Sequence, residues 1–367
     1  MHPAGPEGAV EQESATPRDH RLDRAKALAT SLVLVWHLQP LVLLEPRGTT
    51  RPGTVAAALL KIFNYQVCLL AVPLFFLVSL HLLHARIKER PHDATPRRIR
   101  RVGTVYLFWV GCQFALFYAI ATVRLLATGE SRFSTDLPPH LLVMQGGPSL
   151  PIIGMPVFYF LFVLFVLVGL SGALQSSRLS TAAMRRVAAA LALASVVYFE
   201  YLNLSGGGLA FWRADNFVLY APISYLLVGQ SRENLLRLAA ACCAGYVLFS
   251  MQDIFLRSQG QSSGGYSRVS IVFGAVALLC FFLRAENSPA SSVAAFLSRY
   301  SLGVFATHKY WQLVVTTAFL AAGSLVPIRA GLFPLDLRSL GIAALSAALT
   351  LAGVTIGGRT VFRRFLR

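Results

Sequence analysis

Two histidines and a run of arginines are the residues whose type and setting could do chemistry in this 367-residue chain. His37 lies in the apolar stretch LVLVWHLQP, about halfway along a membrane span expected over residues 26–45. An ionisable group among lipid tails costs at least a few kcal/mol unless paired or hydrated, so such groups are rare and mark function. The plain alternative is a hydrogen-bonded core histidine. Lys26 precedes His37 by eleven residues, close to three helical turns, so the two share one helix face roughly 16 Å apart. An anionic group held by Lys26 at the membrane rim could then extend a slender arm to His37. Read alone, Lys26 is a snorkelling lysine that sets orientation. Asp23, three residues earlier, is placed to pair with it or with a neighbouring cation. Arg97, Arg98, Arg100 and Arg101 open another apolar stretch. Guanidinium forks suit phosphates, although the orientation signal of a membrane protein explains the same residues. His308 and Lys309 adjoin in RYSLGVFATHKYW, in the middle of an apolar run where packing accounts for them poorly. Glu200, Arg213, Asp215 and Asp253 fall near expected outer span ends and fit interfacial residues as well as sites.

The elements that must hold these residues are transmembrane helices. The chain is 55% hydrophobic and 13% charged, and its mean hydropathy is +0.60, too apolar for an ordinary soluble domain. A bilayer core about 30 Å thick needs about 20 apolar residues of helix. Spans are expected near 26–45, 63–85, 103–127, 152–176, 184–203, 215–229, 236–254, 266–284, 295–321 and 339–358, the sixth short enough to be partly re-entrant. The runs are continuously apolar rather than alternating, which excludes a β-barrel. The fold class expected is therefore an all-α integral membrane bundle of about ten transmembrane helices. With the N-terminus inside, 22 lysines and arginines fall on the cytoplasmic side and 10 opposite, so both termini are expected to be cytoplasmic.

The net charge of +17 is spread over the ends of apolar runs, so a nucleic-acid partner is not expected; the bilayer with its anionic headgroups is. All five cysteines sit inside apolar spans without metal-like spacing and read as packing residues. Residues 1–20, polar and rich in Pro and Glu, read as a disordered leader with no cleavable signal, and 21–367 as one membrane domain without internal repeats. No zinc histidine pair, phosphate-cradling glycine loop or nucleophile elbow occurs, and no metal is expected.

Four blocks resemble one family, the membrane acyltransferase-3 family. HRLDRAKALATSLVLVWH is similar to its opening Asp-x-x-Arg helix, in which a basic residue precedes a histidine by eleven positions. AVPLFFLVSLHLL resembles its second span, RRIRRVGTVYLFWV its Arg-x-x-Arg start of span three, and SRYSLGVFATHKYW its late Ser-Tyr-to-His helix. Order and spacing agree from about residue 20 to 320. Three positions depart from the pattern: Lys26 stands for arginine, Leu80 for the glycine after Ser79, and Phe305 for tyrosine.

The resemblance implies an O-acyltransferase of the bacterial cell (inner) membrane. It would move an acyl group, acetyl first of all, from acyl-CoA to a hydroxyl of a glycan, lipid-linked sugar or small hydroxylated acceptor. Lys26, Arg98 and Arg101, with Asp23 beside them, would meet the cofactor at the cytoplasmic face. His37 would serve as general base or transient acyl carrier, and His308 would position acceptor or thioester. Acceptor choice would lie in outer loops such as 128–151, 204–214 and 255–265. A transporter or flippase of lipid-linked sugars would use similar helices, its sign being repeats with broken helices, for which Pro73, Pro156 and Pro222 are candidate breaks. A structural membrane subunit would tolerate asparagine or glutamine at both histidines.

Overall fold

The computed structural model of the chain describes residues 18–41, 51–90, 93–130, 138–150, 154, 157–176, 179–261, 264–322, 329–330 and 333–366. The leader expected over 1–17, and Pro156, lie outside these residues. Helix α1 (His20–Leu38) starts where the Asp19 carboxylate caps the Arg21 N–H, as a short acidic side chain does at a helix start. It ends at Gln39, whose left-handed backbone (φ 46°) lets its N–H bond the Val35 carbonyl, and Pro40 follows. Helix α1 thus stops at Leu38, short of residue 45, where the span was expected to end. His37 therefore lies in the last turn of α1 and not halfway along a span, which corrects the sequence reading.

Helix α2 (Arg51–Ile62) continues through a π-helical turn (Phe63–Val67) and a 3-10 turn (Cys68–Leu70) into α3 (Ala71–Glu89). Pro73 follows directly on the 3-10 turn, where the regular helical hydrogen-bond ladder is already interrupted. Then come α4 (Ala94–Thr128), α5 (Pro139–Gln145), α6 (Tyr159–Ser176), α7 (Thr181–Leu204), α8 (Tyr220–Leu227), α9 (Arg232–Ser258) and α10 (Val269–Arg284). After α11 (Ser292–Arg299) and α12 (Ser301–Ala321), a small antiparallel pair, β1 (Arg329–Ala330) and β2 (Phe333–Asp336), leads to α13 (Leu337–Gly357) and the short α14 (Arg363–Leu366).

Six helical stretches among the described residues are long and apolar enough to cross a membrane: Ala57–Glu89, α4, α6, α7, α9 and α13. That is fewer than the ten expected, for identifiable reasons. Helix α8 has 8 residues and α10 has 16. Helix α1 carries Arg21, Asp23, Arg24 and Lys26 in its first two turns, and α12 carries His308, Lys309 and Gln312 in its middle. The two helices that lose apolarity to charge are those bearing the candidate site.

Helix α3 is the centre of the bundle, packed by α1, α8 and α10, with Leu74, Leu77, Val78 and Leu80 fully buried. Apolar side chains also cover the outside: Leu107 and Leu126 on α4, Leu193 and Val197 on α7, Leu248 and Phe255 on α9 are exposed. Meanwhile Asp253 and Arg268 are 1% and 0% exposed. Polar inside and apolar outside is the distribution lipid demands.

Candidate active site

The N-terminal half of α1 is fastened to its neighbours by its own charges. Arg21 donates to the Leu283 carbonyl (2.9 Å), and Arg24 to the Glu286 carbonyl (2.6 Å) and Ser288 Oγ (2.9 Å), which ties α1 to the end of α10. Asp23 is buried, pairs with Arg18 Nε (2.5 Å) and accepts from Ser298 Oγ (2.6 Å) on α11. The sequence left open which cation Asp23 would pair with; it is Arg18.

Lys26 stands just beyond, half-buried, and the charges that bear on it are those of Arg98, Asp23, Arg101 and Arg18. Arg98 and Arg101, three residues apart on α4, both bear on Lys26 by their charge. Arg98 in turn lies in the field of Arg101 and of Arg86, in the last turn of α3. Its Nε is enclosed and has no hydrogen-bond partner. Lys26, Arg86, Arg98 and Arg101 thus gather, while the carboxylate that bears on Lys26, Asp23, is already engaged by Arg18 and Ser298. Such a cluster attracts an anion with several acceptor oxygens. Arg97 faces elsewhere, in an exposed pair with Asp93 (2.8 Å). Arg86 was legible only as part of the basic segment 86–101.

At the other end of α1 the two histidines come together although 271 positions separate them in sequence. The rings of His37 and His308 lie 5.0 Å apart at 44°. His308 is fully buried, and its Nδ1 is 3.0 Å from the Val304 carbonyl. A ring nitrogen facing a carbonyl must be the one that carries hydrogen, which leaves Nε2 with a lone pair. That Nε2 is enclosed and has no partner. Lys309 donates to the His37 carbonyl (3.0 Å) and to Gln312 Oε1 (2.9 Å). Lys309 thus faces the negative end of the α1 dipole and joins α12 to α1. Phe305, where the family pattern has tyrosine, packs on Phe160 (ring centroids 3.8 Å apart) and against His308 (5.9 Å). Ser79 is buried in α3.

Several packed residues escaped the sequence reading. Trp36 meets Tyr65 edge-on (5.7 Å), and Arg257 lies over the Tyr65 ring (4.1 Å). Arg268 donates to the Tyr65 carbonyl (2.5 Å), to Gln66 Oε1 (3.3 Å) and to Asp253 (3.3 Å), while Asn203 Nδ2 also donates to Asp253 (3.1 Å). Asp253, an ambiguous candidate in the sequence, thus belongs to a buried ion pair rather than an interface. Arg213 and Asp215 form an exposed pair (2.6 Å), and Glu200 bonds Gln252. Among the described residues, no three His, Cys, Asp or Glu side chains come together as metal ligands would.

The arrangement therefore consists of a cation cluster and a facing histidine pair at opposite ends of one helix. The family model described as an acyltransferase domain matches residues 19–357, which takes in Lys26, Arg86, Arg98, Arg101, His37 and His308. No curated protein and no solved structure matches the chain. A match over nearly the whole length, containing both ends of α1 and the start of α4, means that this multi-pass membrane protein belongs to the acyltransferase-3 family.

Proposed function

We propose that the chain transfers an acyl group, acetyl in the simplest case, from acyl-CoA bound at the α1 N-terminal face to a hydroxyl reached from the opposite face. The acceptor is a glycan, a lipid-linked sugar or a small hydroxylated molecule, and the setting is the cell (inner) membrane. One observation carries the reading: cations around Lys26 and the His37–His308 pair lie along one helix, about 16 Å apart by its rise. The phosphates of CoA would meet Lys26, Arg98 and Arg101. Asp23, engaged with Arg18 and Ser298, acts by fixing the helix rather than by touching the donor. The pantetheine arm would bridge the distance.

At the far end the acceptor oxygen attacks the thioester carbonyl, its proton passes to a neutral imidazole, and CoA leaves as the thiolate and takes up a proton. His308 Nε2, with an unused lone pair, and His37 beside it are the available bases. Trp36, next to His37 in the chain, with Tyr65 against it and Arg257 over Tyr65, would receive the acceptor, since aromatic faces match the C–H faces of sugars. The test is hydrolysis and transfer of radiolabelled acetyl-CoA by the purified chain in lipid. Label release should disappear in His37→Ala, and CoA binding should weaken in Lys26→Ala. A wild type that neither binds CoA nor releases label would sink the reading and put passage of a lipid-linked sugar in its place.

A further inference from the structure

A second cationic site lies between α4 and α14, and its C-terminal wall falls beyond the residues matched by the family. It is an open groove of about 760 Å³ lined by Arg97, Arg100 and Arg101 of α4 and by Arg363, Arg364 and Phe365 of the C-terminal segment. Arg97 is engaged in an exposed pair with Asp93, and among the described residues no carboxylate pairs with Arg100, Arg363 or Arg364. The C-terminal segment is fixed in place. Phe365 stacks on Phe108 (centroids 3.9 Å, planes 10° apart), and its carbonyl accepts from Trp109 Nε1 (3.2 Å). Leu366 is buried against Gly303 and Gly357, at which a Cβ would come within 3.0 and 2.7 Å of it. An orientation signal needs charge near the membrane but not this docking.

We propose that the groove binds the phosphate headgroup of an anionic phospholipid from the adjacent leaflet. The apolar neighbours favour a lipid over a free nucleotide. Val361 and Phe362 are 81% and 48% exposed, immediately before Arg363 and Arg364. Exposed apolar side chains next to cations are what a headgroup with its acyl chains requires at the membrane interface. Of the cluster proposed to meet CoA, Lys26, Arg86, Arg98 and Arg101, Arg101 alone also lines the groove. Headgroup binding does not depend on acyl transfer.

The experiment titrates dihexanoyl phosphatidylglycerol into the purified full chain in neutral detergent and reads the thermal midpoint, with phosphatidylcholine of the same chain length as control. Wild type should gain stability with the anionic lipid alone. The apparent affinity should fall roughly 30-fold in Arg363→Gln/Arg364→Gln, the worth of two interfacial charges. Arg97→Gln/Arg100→Gln, altered on the exposed side of α4, should behave alike if the first variant folds poorly. CoA affinity, measured in neutral detergent, should be unchanged by Arg363→Gln/Arg364→Gln. No preference for the anionic lipid in wild type, or a preference kept by both variants, overturns the proposal. Loss of CoA affinity in Arg363→Gln/Arg364→Gln also overturns it, because the groove would then be a nucleotide subsite.

Discussion

His308 offers the sharpest question about a single atom. An asparagine side chain can present its amide nitrogen where Nδ1 stands and keep the bond to the Val304 carbonyl, but it has nothing at Nε2. If Nε2 takes the proton, His308→Asn loses about 10²–10⁴-fold in kcat while its thermal midpoint stays near wild type. Activity retained in that variant would make the residue a packing histidine. The Asp253–Arg268 pair calls for the reverse measurement, of stability alone. Removing one partner from a buried pair leaves an uncompensated charge, at a cost of about 3–5 kcal/mol, whereas replacing both with apolar groups is often nearly neutral. Asp253→Leu should therefore unfold well below wild type, and Asp253→Leu/Arg268→Met should recover most of the loss. Equal destabilisation of both variants would count against a coupled pair. His37, Lys26 and His308 were legible in the sequence because ionisable residues stand out in apolar runs. Arg268 was not, since at the foot of α10 it reads as an interfacial cation, and nothing local points to Gln66 or Asp253 as its partners.

Helix ends decide where those side chains stand. Half-burial works against the charged Asp19 carboxylate, but the hydrogen bonds and charge of Arg21 outweigh it and hold its pKa below the usual 3.8. A carboxylate with a depressed folded-state pKa adds stability above its unfolded value, and that stability is lost as pH falls through the folded one. The α1 cap should thus be intact at neutral pH and weaken only below about pH 4. Asp19→Ala should lower stability by about 1 kcal/mol at pH 7, and its deficit against wild type should shrink in acid. A deficit independent of pH would mean that the carboxylate charge plays no part. At the other end of the chain, a Cβ on Gly303 would come within 3.0 Å of the Leu366 carbonyl and 3.1 Å of Val354 Cγ1. Gly303→Ala should therefore cost about 1–3 kcal/mol by pushing α14 off α12 and α13. The apolar pattern located most helices in the sequence but misjudged the length of α1. Residues 41–44 (LVLL) continue the hydrophobic run past the Gln39–Pro40 stop, and hydropathy does not register backbone termination.

For the molecule as a whole, the open matter is which helices cross the bilayer. Helix α4 has 35 residues, about 52 Å of helix against a hydrocarbon core of about 30 Å, so its arginine-rich first turns can stand clear of the lipid tails. Helix α1 is about 28 Å long and charged over its first half, so composition alone leaves it short of a span. The family assignment followed from sequence blocks, yet the sidedness that the mechanism needs follows only from whether α1 crosses. Single cysteines can report it in intact cells, with the exposed Cys243 replaced by serine. If α1 and α4 both cross, Arg18→Cys and Asp93→Cys label from one face, and Leu41→Cys and Glu130→Cys from the other. Labelling of Arg18→Cys and Leu41→Cys from the same face would show that α1 does not cross. Lys26 and the histidines would then be reached from one side, and donor and acceptor would have to meet there. Opposite labelling would leave the donor on the cation side and the acceptor hydroxyl on the histidine side, with α1 as the only part of the site that touches both.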